Sequence, residues 1–138
     1  MVMKKIGFLC MFLFTALVYV KAQNQKATVY LVRPDGPDLY VPYYTYLDEN
    51  LLCKLGRGKY SVHEVEPGQH KLHAQYRGKV KSTPETELVL NVEAGKTYFI
   101  SVNIETKAFG KGRFYCKELS EEIGKKTIQV FIQDTKCL

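Results

Sequence analysis

Thr97-Tyr98-Phe99-Ile100-Ser101-Val102-Asn103-Ile104 decides the fold. Tyr98, Ile100, Val102 and Ile104 alternate with Thr97, Phe99, Ser101 and Asn103. A period of two puts each set on its own face of a pleated strand, so one apolar face is buried. The same period recurs on the N-terminal side. Leu88, Leu90 and Val92 alternate with Glu87, Val89 and Asn91, and His70, Leu72, Ala74 and Tyr76 with Gln69, Lys71, His73 and Gln75. Tyr60 and Val62 do so with Lys59, Ser61 and His63. Ala27–Val32 is apolar or β-branched at nearly every position, the pattern of a strand covered on both faces. Tyr40–Leu47 and Leu51–Leu55 add two strands around Asp48-Glu49-Asn50, and Arg113–Leu119 and Thr127–Gln133 read as a last pair.

The turns say how the strands are layered. Glu66-Pro67-Gly68-Gln69 and Glu93-Ala94-Gly95-Lys96 both place Gly third, where a type II turn needs positive φ. Type II turns splay their flanking strands and suit tight hairpins badly. At least one of them therefore carries the chain from one sheet to another. Ser120 can cap a helical turn, with Glu121 and Glu122 at its positive end and Gly124 as its stop. The expectation is an all-β, two-sheet β-sandwich of about eight strands with one short helical turn at Ser120–Gly124.

A leader precedes this domain. Lys4 and Lys5 stand before the uncharged run Ile6–Val20, and Val20 and Ala22 occupy the two positions a signal peptidase reads. Residues 1–22 read as a signal peptide and 23–138 as a single domain. The alternative, a retained anchor, is disfavoured because fifteen helical residues span only about 22 Å of a roughly 30 Å hydrocarbon layer. The 138 residues carry a net charge of +6. Cleavage takes away Lys4, Lys5 and Lys21 and no acid, which halves that excess. The remaining basic residues are spread over Lys54–Lys59, Lys71–Lys81 and Lys107–Arg113 rather than gathered on one face, so nucleic acid is not expected as a partner. No second long apolar run follows, so no membrane span is expected after cleavage.

Catalytic motifs are tested and rejected on their residues. Gly95-Lys96-Thr97 lacks the upstream Gly of a phosphate loop and leads into a strand instead of a helix. Four residues after His63 comes Pro67, which breaks a zinc-protease pattern. His70 and His73, three apart on a strand, point to opposite faces. Gly-x-Ser-x-Gly and Cys-x-x-Cys are both missing. No catalytic residue, cofactor or metal is expected. A small envelope enzyme would have to pair His63 or His70 with Glu64 or Glu66. The mature chain keeps Cys53, Cys116 and Cys137, an odd number that allows one disulfide and leaves at least one thiol. The pairing stays open, as does redox sensing through these thiols. Four of the ten tyrosines, Tyr40, Tyr43, Tyr44 and Tyr46, fall within seven residues. Tyr suits interfaces because its ring is large and its hydroxyl stays wet. These four are the candidate binding residues, on a stretch whose Pro42 suits an edge strand.

Residues 27–126 resemble a family of bacterial proteins, the domain of unknown function 2846. The resemblance rests on Val29-Tyr30-Leu31-Val32-Arg33-Pro34, Gly58-Lys59-Tyr60, Pro67-Gly68-Gln69-His70-Lys71-Leu72, Ala94-Gly95-Lys96-Thr97-Tyr98-Phe99 and Glu121-Glu122-Ile123-Gly124-Lys125-Lys126. The piece Pro-Gly-x-His-x-Leu is also similar to PEGA and transthyretin-like sandwiches. Family members show Asp-Gly where this chain has Asp48-Glu49-Asn50. The resemblance implies an exported envelope protein and supplies no reaction. The functional expectation is a non-enzymatic exported domain that binds another envelope protein or a surface glycan through its loops and the Tyr40–Tyr46 edge. Its oligomeric state is left open.

Overall fold

Among the described residues, period-two alternation resolves into nine strands in two layers. The computed structural model describes residues 25–37, 40–110 and 112–138, and the expected leader lies outside them. One layer has the strand order β8-β7-β1-β4-β9. It is formed by β1 (Ala27–Arg33), β4 (Lys59–Val65), β7 (Thr97–Glu105), β8 (Arg113–Leu119) and the two-residue β9 (Ile132–Gln133). The other has the order β3-β2-β5-β6, from β2 (Tyr43–Leu47), β3 (Asn50–Leu55), β5 (Gly68–Gln75) and β6 (Leu88–Val92). Neighbours are antiparallel except β1 with β7 and β4 with β9.

Both glycine turns change layer. β4 passes into β5 through Glu66-Pro67, and β6 into β7 through Glu93–Lys96, with Gly68 and Gly95 at positive φ. The hairpin between β2 and β3 turns on Asp48 and Glu49, both in the left-handed region at φ 49° and 67°. Between the layers lie Val29, Leu31, Tyr43, Leu55, Leu72, Leu90, Ile100, Val102 and Phe114, of which periodicity selects Leu72, Leu90, Ile100 and Val102.

Two expectations are corrected. Residues 120–133 do not form one helical turn followed by a strand. They form a ten-residue helix, α1 (Glu121–Val130), and only Ile132–Gln133 joins a sheet. Ser120 accepts a hydrogen bond from Ile123 N, and Glu121 and Glu122 pair with Lys125 and Lys126 one turn on. These local supports outweigh the β-branched Thr127, Ile128 and Val130. Gly124 does not end the helix; it is the helix's buried residue, set against Phe99 of β7. Phe99 and Tyr30 stack at 4.8 Å on the outer face of the larger sheet, the face α1 packs on.

The second correction concerns Tyr40–Tyr46. The strand starts at Tyr43, past Pro42, and pairs with both β3 and β5. It is interior, so this stretch is no sheet edge. Pro42 costs the ladder nothing because it lies outside it.

A methyl group at Gly124 would fall 2.1 Å from Phe99 Cγ, which lies inside the ring's contact surface. Ala is the better helix former by about 1 kcal/mol, yet Gly124→Ala is expected to destabilise by about 2 kcal/mol through overpacking. Thermal unfolding checks the sign. Adding Phe99→Leu should recover part of the loss.

Candidate functional site

The strand directions gather four connections at one end of the sandwich: residues 34–42, 56–58, 76–87 and 106–112. They include the longest loops of the described residues. An aromatic floor supports them, with Tyr43 and Phe114 buried and Tyr76 at its open edge. Tyr43 meets Phe114 edge-on at 4.8 Å, and Phe114 meets Tyr76 at 4.7 Å. Arg33, at the end of β1 and only 1% exposed, lies with its guanidinium 3.4 Å from the centre of the Tyr43 ring. Its Nη1 donates to Val41 O at 2.7 Å and Leu55 O at 2.9 Å. One buried cation thus ties β1 to the loop before β2 and to the end of β3.

The 76–87 loop is held from beneath by Gln75. Its Nε2 donates to Lys79 O at 2.9 Å, and its Oε1 accepts from Lys81 N at 2.9 Å. Above this framework Tyr40 is 92% and Phe109 96% exposed, with Val41 and Val80 also open to solvent. Arg57 and Arg113 are neutralised by Asp35 and Glu105. Arg77, Lys79, Lys81 and Lys107 form no ion pair among the described residues. The end therefore presents exposed aromatic rings on loops that also carry cations unpaired among the described residues.

The four candidate tyrosines separate. Tyr40 is exposed in the loop, and Tyr44 is half-buried with Lys54 Nζ 5.9 Å from its ring centre. Tyr43 belongs to the core floor. Tyr46 is buried against His73, the two rings stacked at 5.0 Å. Burial lowers the pKa of His73, which favours the neutral ring. Sequence reasoning missed Arg33 and Phe109 as parts of this end. The signal was available in loop length, since all four connections follow or precede strands at the same end.

The histidines take structural places. His63 and Glu64 are successive residues of β4 and so project to opposite faces. His63 lies on the inner face, opposite Val29, with Nε2 2.8 Å from Ser61 Oγ, and burial lowers its pKa. His70 has both ring nitrogens engaged, Nδ1 with Asp48 Oδ2 at 2.6 Å and Nε2 with Glu66 O at 2.7 Å. The Glu66 carboxylate turns to Lys26. Asp48 also accepts from Lys71 N at 2.9 Å, which clamps the β2–β3 turn to β5.

For His70, burial by itself pulls the pKa down, but the hydrogen bonds to Asp48 and Glu66 and the Asp48 charge raise it overall. For Asp48, burial pulls upward, and the His70 and Lys71 bonds lower it overall. A raised His pKa gives stability that is complete below about 6.5 and lost as pH climbs through the folded value. A lowered Asp pKa gives stability that is complete above about 3.9 and lost as pH falls through the folded value. The clamp is thus strongest between about pH 4 and 6.5. Asp48→Asn keeps the tolerance for positive φ and removes the charge. It is expected to cost about 1 kcal/mol at pH 5.5, discounted for the half-exposed carboxylate. Urea melts at pH 5.5 and 8.5 should show the difference shrinking at the higher pH.

Among the described residues the cysteines resolve into one disulfide, Cys53–Cys137, and one free thiol, Cys116. Burial pushes the Cys116 thiol up to about 12, so it is not a reactive thiolate near neutrality. The bridge pins the 134–138 tail to β3, and Lys54 N donates to Cys137 O. Beside it is an open cavity of about 320 Å³ lined in part by Ser61, His63, Asp134, Lys136 and Cys137. Cys53, Cys137 and His63 bring their sulfur and nitrogen atoms within 4.8 Å of one another.

No helix among the described residues is long and apolar enough to cross a membrane. Neither the curated proteins nor the solved structures give a match to this chain. The family model described as protein of unknown function (DUF2846) matches residues 23–113, from before β1 to the start of β8. With about two thirds of its length matched, the chain belongs to that family.

Proposed function

We propose that this protein is an exported, non-enzymatic binding domain that captures an acidic partner of the cell envelope, protein or glycan, through the loop end of the sandwich. The observation that carries the reading is the placement, at one end, of exposed Tyr40 and Phe109 with Arg77, Lys79, Lys81 and Lys107, which form no ion pair among the described residues, on a floor fixed by Arg33. Exposed aromatics on organised loops are affordable where a partner covers them, and clustered cations steer an acidic one. Export is supported by the leader-like residues 1–22 and by a disulfide, which persists in oxidising compartments. The enzyme alternative loses support from His70, whose nitrogens are both occupied, and from His63 and Glu64, which diverge.

The test is crosslinking and recovery from intact cells with the exported form. Tyr40→Ala with Phe109→Ala, and separately Lys79→Glu with Lys81→Glu, should each reduce recovered partner at least severalfold with the melting temperature unchanged. Unaltered recovery for both pairs overturns the reading.

A further inference from the structure

The open side of the sandwich, between β3 and β4, carries a second constellation unrelated to the loop end. Cys53 comes from the inner face of β3, His63 from the inner face of β4, and Cys137 from the tail beyond β9. Linear spacing gives no sign of a metal site because the three belong to separate elements. In space their donor atoms lie within 4.8 Å of one another. A tetrahedral zinc with sulfur at about 2.3 Å and nitrogen at about 2.0 Å asks for donors roughly 3.5–3.8 Å apart. That separation is within reach of the present arrangement once the sulfurs are no longer bonded to each other.

We infer that Cys53, Cys137 and His63 form a redox-gated zinc site, closed as a disulfide under oxidising conditions and open to Zn²⁺ after reduction. Three observations support it beyond proximity. The donor set of two thiolates and one imidazole is the type that selects zinc. Ser61 Oγ, at 2.8 Å from His63 Nε2, engages that nitrogen, which assigns the metal to Nδ1 and makes Ser61 the outer partner of the ligating ring. The cavity of about 320 Å³ alongside gives the fourth coordination position access to water.

The chemistry balances with a dithiol as reductant. Its thiolate attacks the Cys137 sulfur, the less buried of the two, and Cys53 leaves as thiolate. The second thiol of the reductant then displaces Cys137, and the reductant departs as its own disulfide. Two electrons and two protons have passed to the protein. Zn²⁺ then binds both sulfurs with release of two protons to solvent. The ion takes over the link between β3 and the tail that the covalent bond made before.

The experiment uses the exported chain with Cys116→Ala, so that the only thiols formed are the two in question. It is reduced with a phosphine, which consumes one water per disulfide and does not chelate zinc as dithiols do. Co²⁺ serves as the spectroscopic probe and Zn²⁺ as the competitor. One equivalent of Co²⁺ should give thiolate charge-transfer absorption and strong tetrahedral visible bands in the reduced protein only. Stoichiometric Zn²⁺ should abolish both. His63→Ala should weaken the affinity on the order of tenfold or more, the scale on which even outer-shell partners act. Absence of these bands, or bands unaffected by His63→Ala, overturns the inference. If the reduced chain loses its fold, circular dichroism of the same titration decides. Refolding on addition of one equivalent of Zn²⁺ supports the site, and a chain that neither binds nor refolds refutes it.

Discussion

Replacing Cys53 and Cys137 together by Ser is expected to lower stability by about 4 kcal/mol, the largest effect of any change considered. The two residues are 84 apart, and chain-entropy bookkeeping for a loop of that length gives about 4.5 kcal/mol, an upper figure because unfolded chains retain structure. The effect is concentrated at one place in the fold. Where β3 faces β4, only the two-residue β9 lies beyond β4, and the tail covers the rest of that side only while tethered. Denaturant unfolding of the oxidised chain and of the double variant measures the difference. A loss below about 1 kcal/mol would mean that Asp134 N on Tyr60 O and the β9 pairing hold the tail unaided.

Arg33→Met should cost about 3 kcal/mol. Methionine retains much of the side-chain volume, so little of the loss comes from a void. Val41 O and Leu55 O instead lose their shared donor inside the protein, and the Tyr43 ring loses the cation over its face. Each unmet buried carbonyl costs about 1–3 kcal/mol, and a desolvated cation–π contact contributes about 1–2. The expected fall in melting temperature is roughly 10–15 °C for a domain of this size. Because Arg33 holds the loop that carries Tyr40, the variant should also weaken the partner capture proposed above by more than its residual stability alone would explain. Arg33→Lys should fall between, since a single ammonium lacks the flat face that lies against Tyr43.

The core was readable from sequence because burial and strand period are the same signal. Leu72, Leu90, Ile100 and Val102 follow from alternation and are in the interior, whereas Ala27–Val32 reads as covered on both faces without saying that Val29 and Leu31 face the other sheet. Gly68 and Gly95 disclosed the change of layer because only positive φ explains them in those turns. The helix was misread because Gly124 has two meanings. A glycine near a helix end commonly stops it, but one facing a large ring lets two elements approach, and sequence does not say which residue lies opposite. The pairing of Cys53 with Cys137 was equally hidden, being set by where the tail returns. The candidate tyrosines read alike as sequence, and the burial of Tyr46 depends on His73 across the ladder. The loop end was the least legible, since the loops of Tyr40 and Phe109 come to the same end only through strand direction.

The place of β1 has a kinetic consequence. It is the earliest described strand, yet it lies mid-sheet with β4 on one side and β7 on the other, in parallel register from Thr28–Thr97 to Val32–Ser101. Its second neighbour arrives only after some seventy further residues. Until then an apolar ribbon waits with one flank unpaired, and the search that ends the wait is long-range. Folding in milliseconds to seconds is expected for such wiring, and a chain interrupted before Thr97 should be a substrate for holdase chaperones and prone to aggregate.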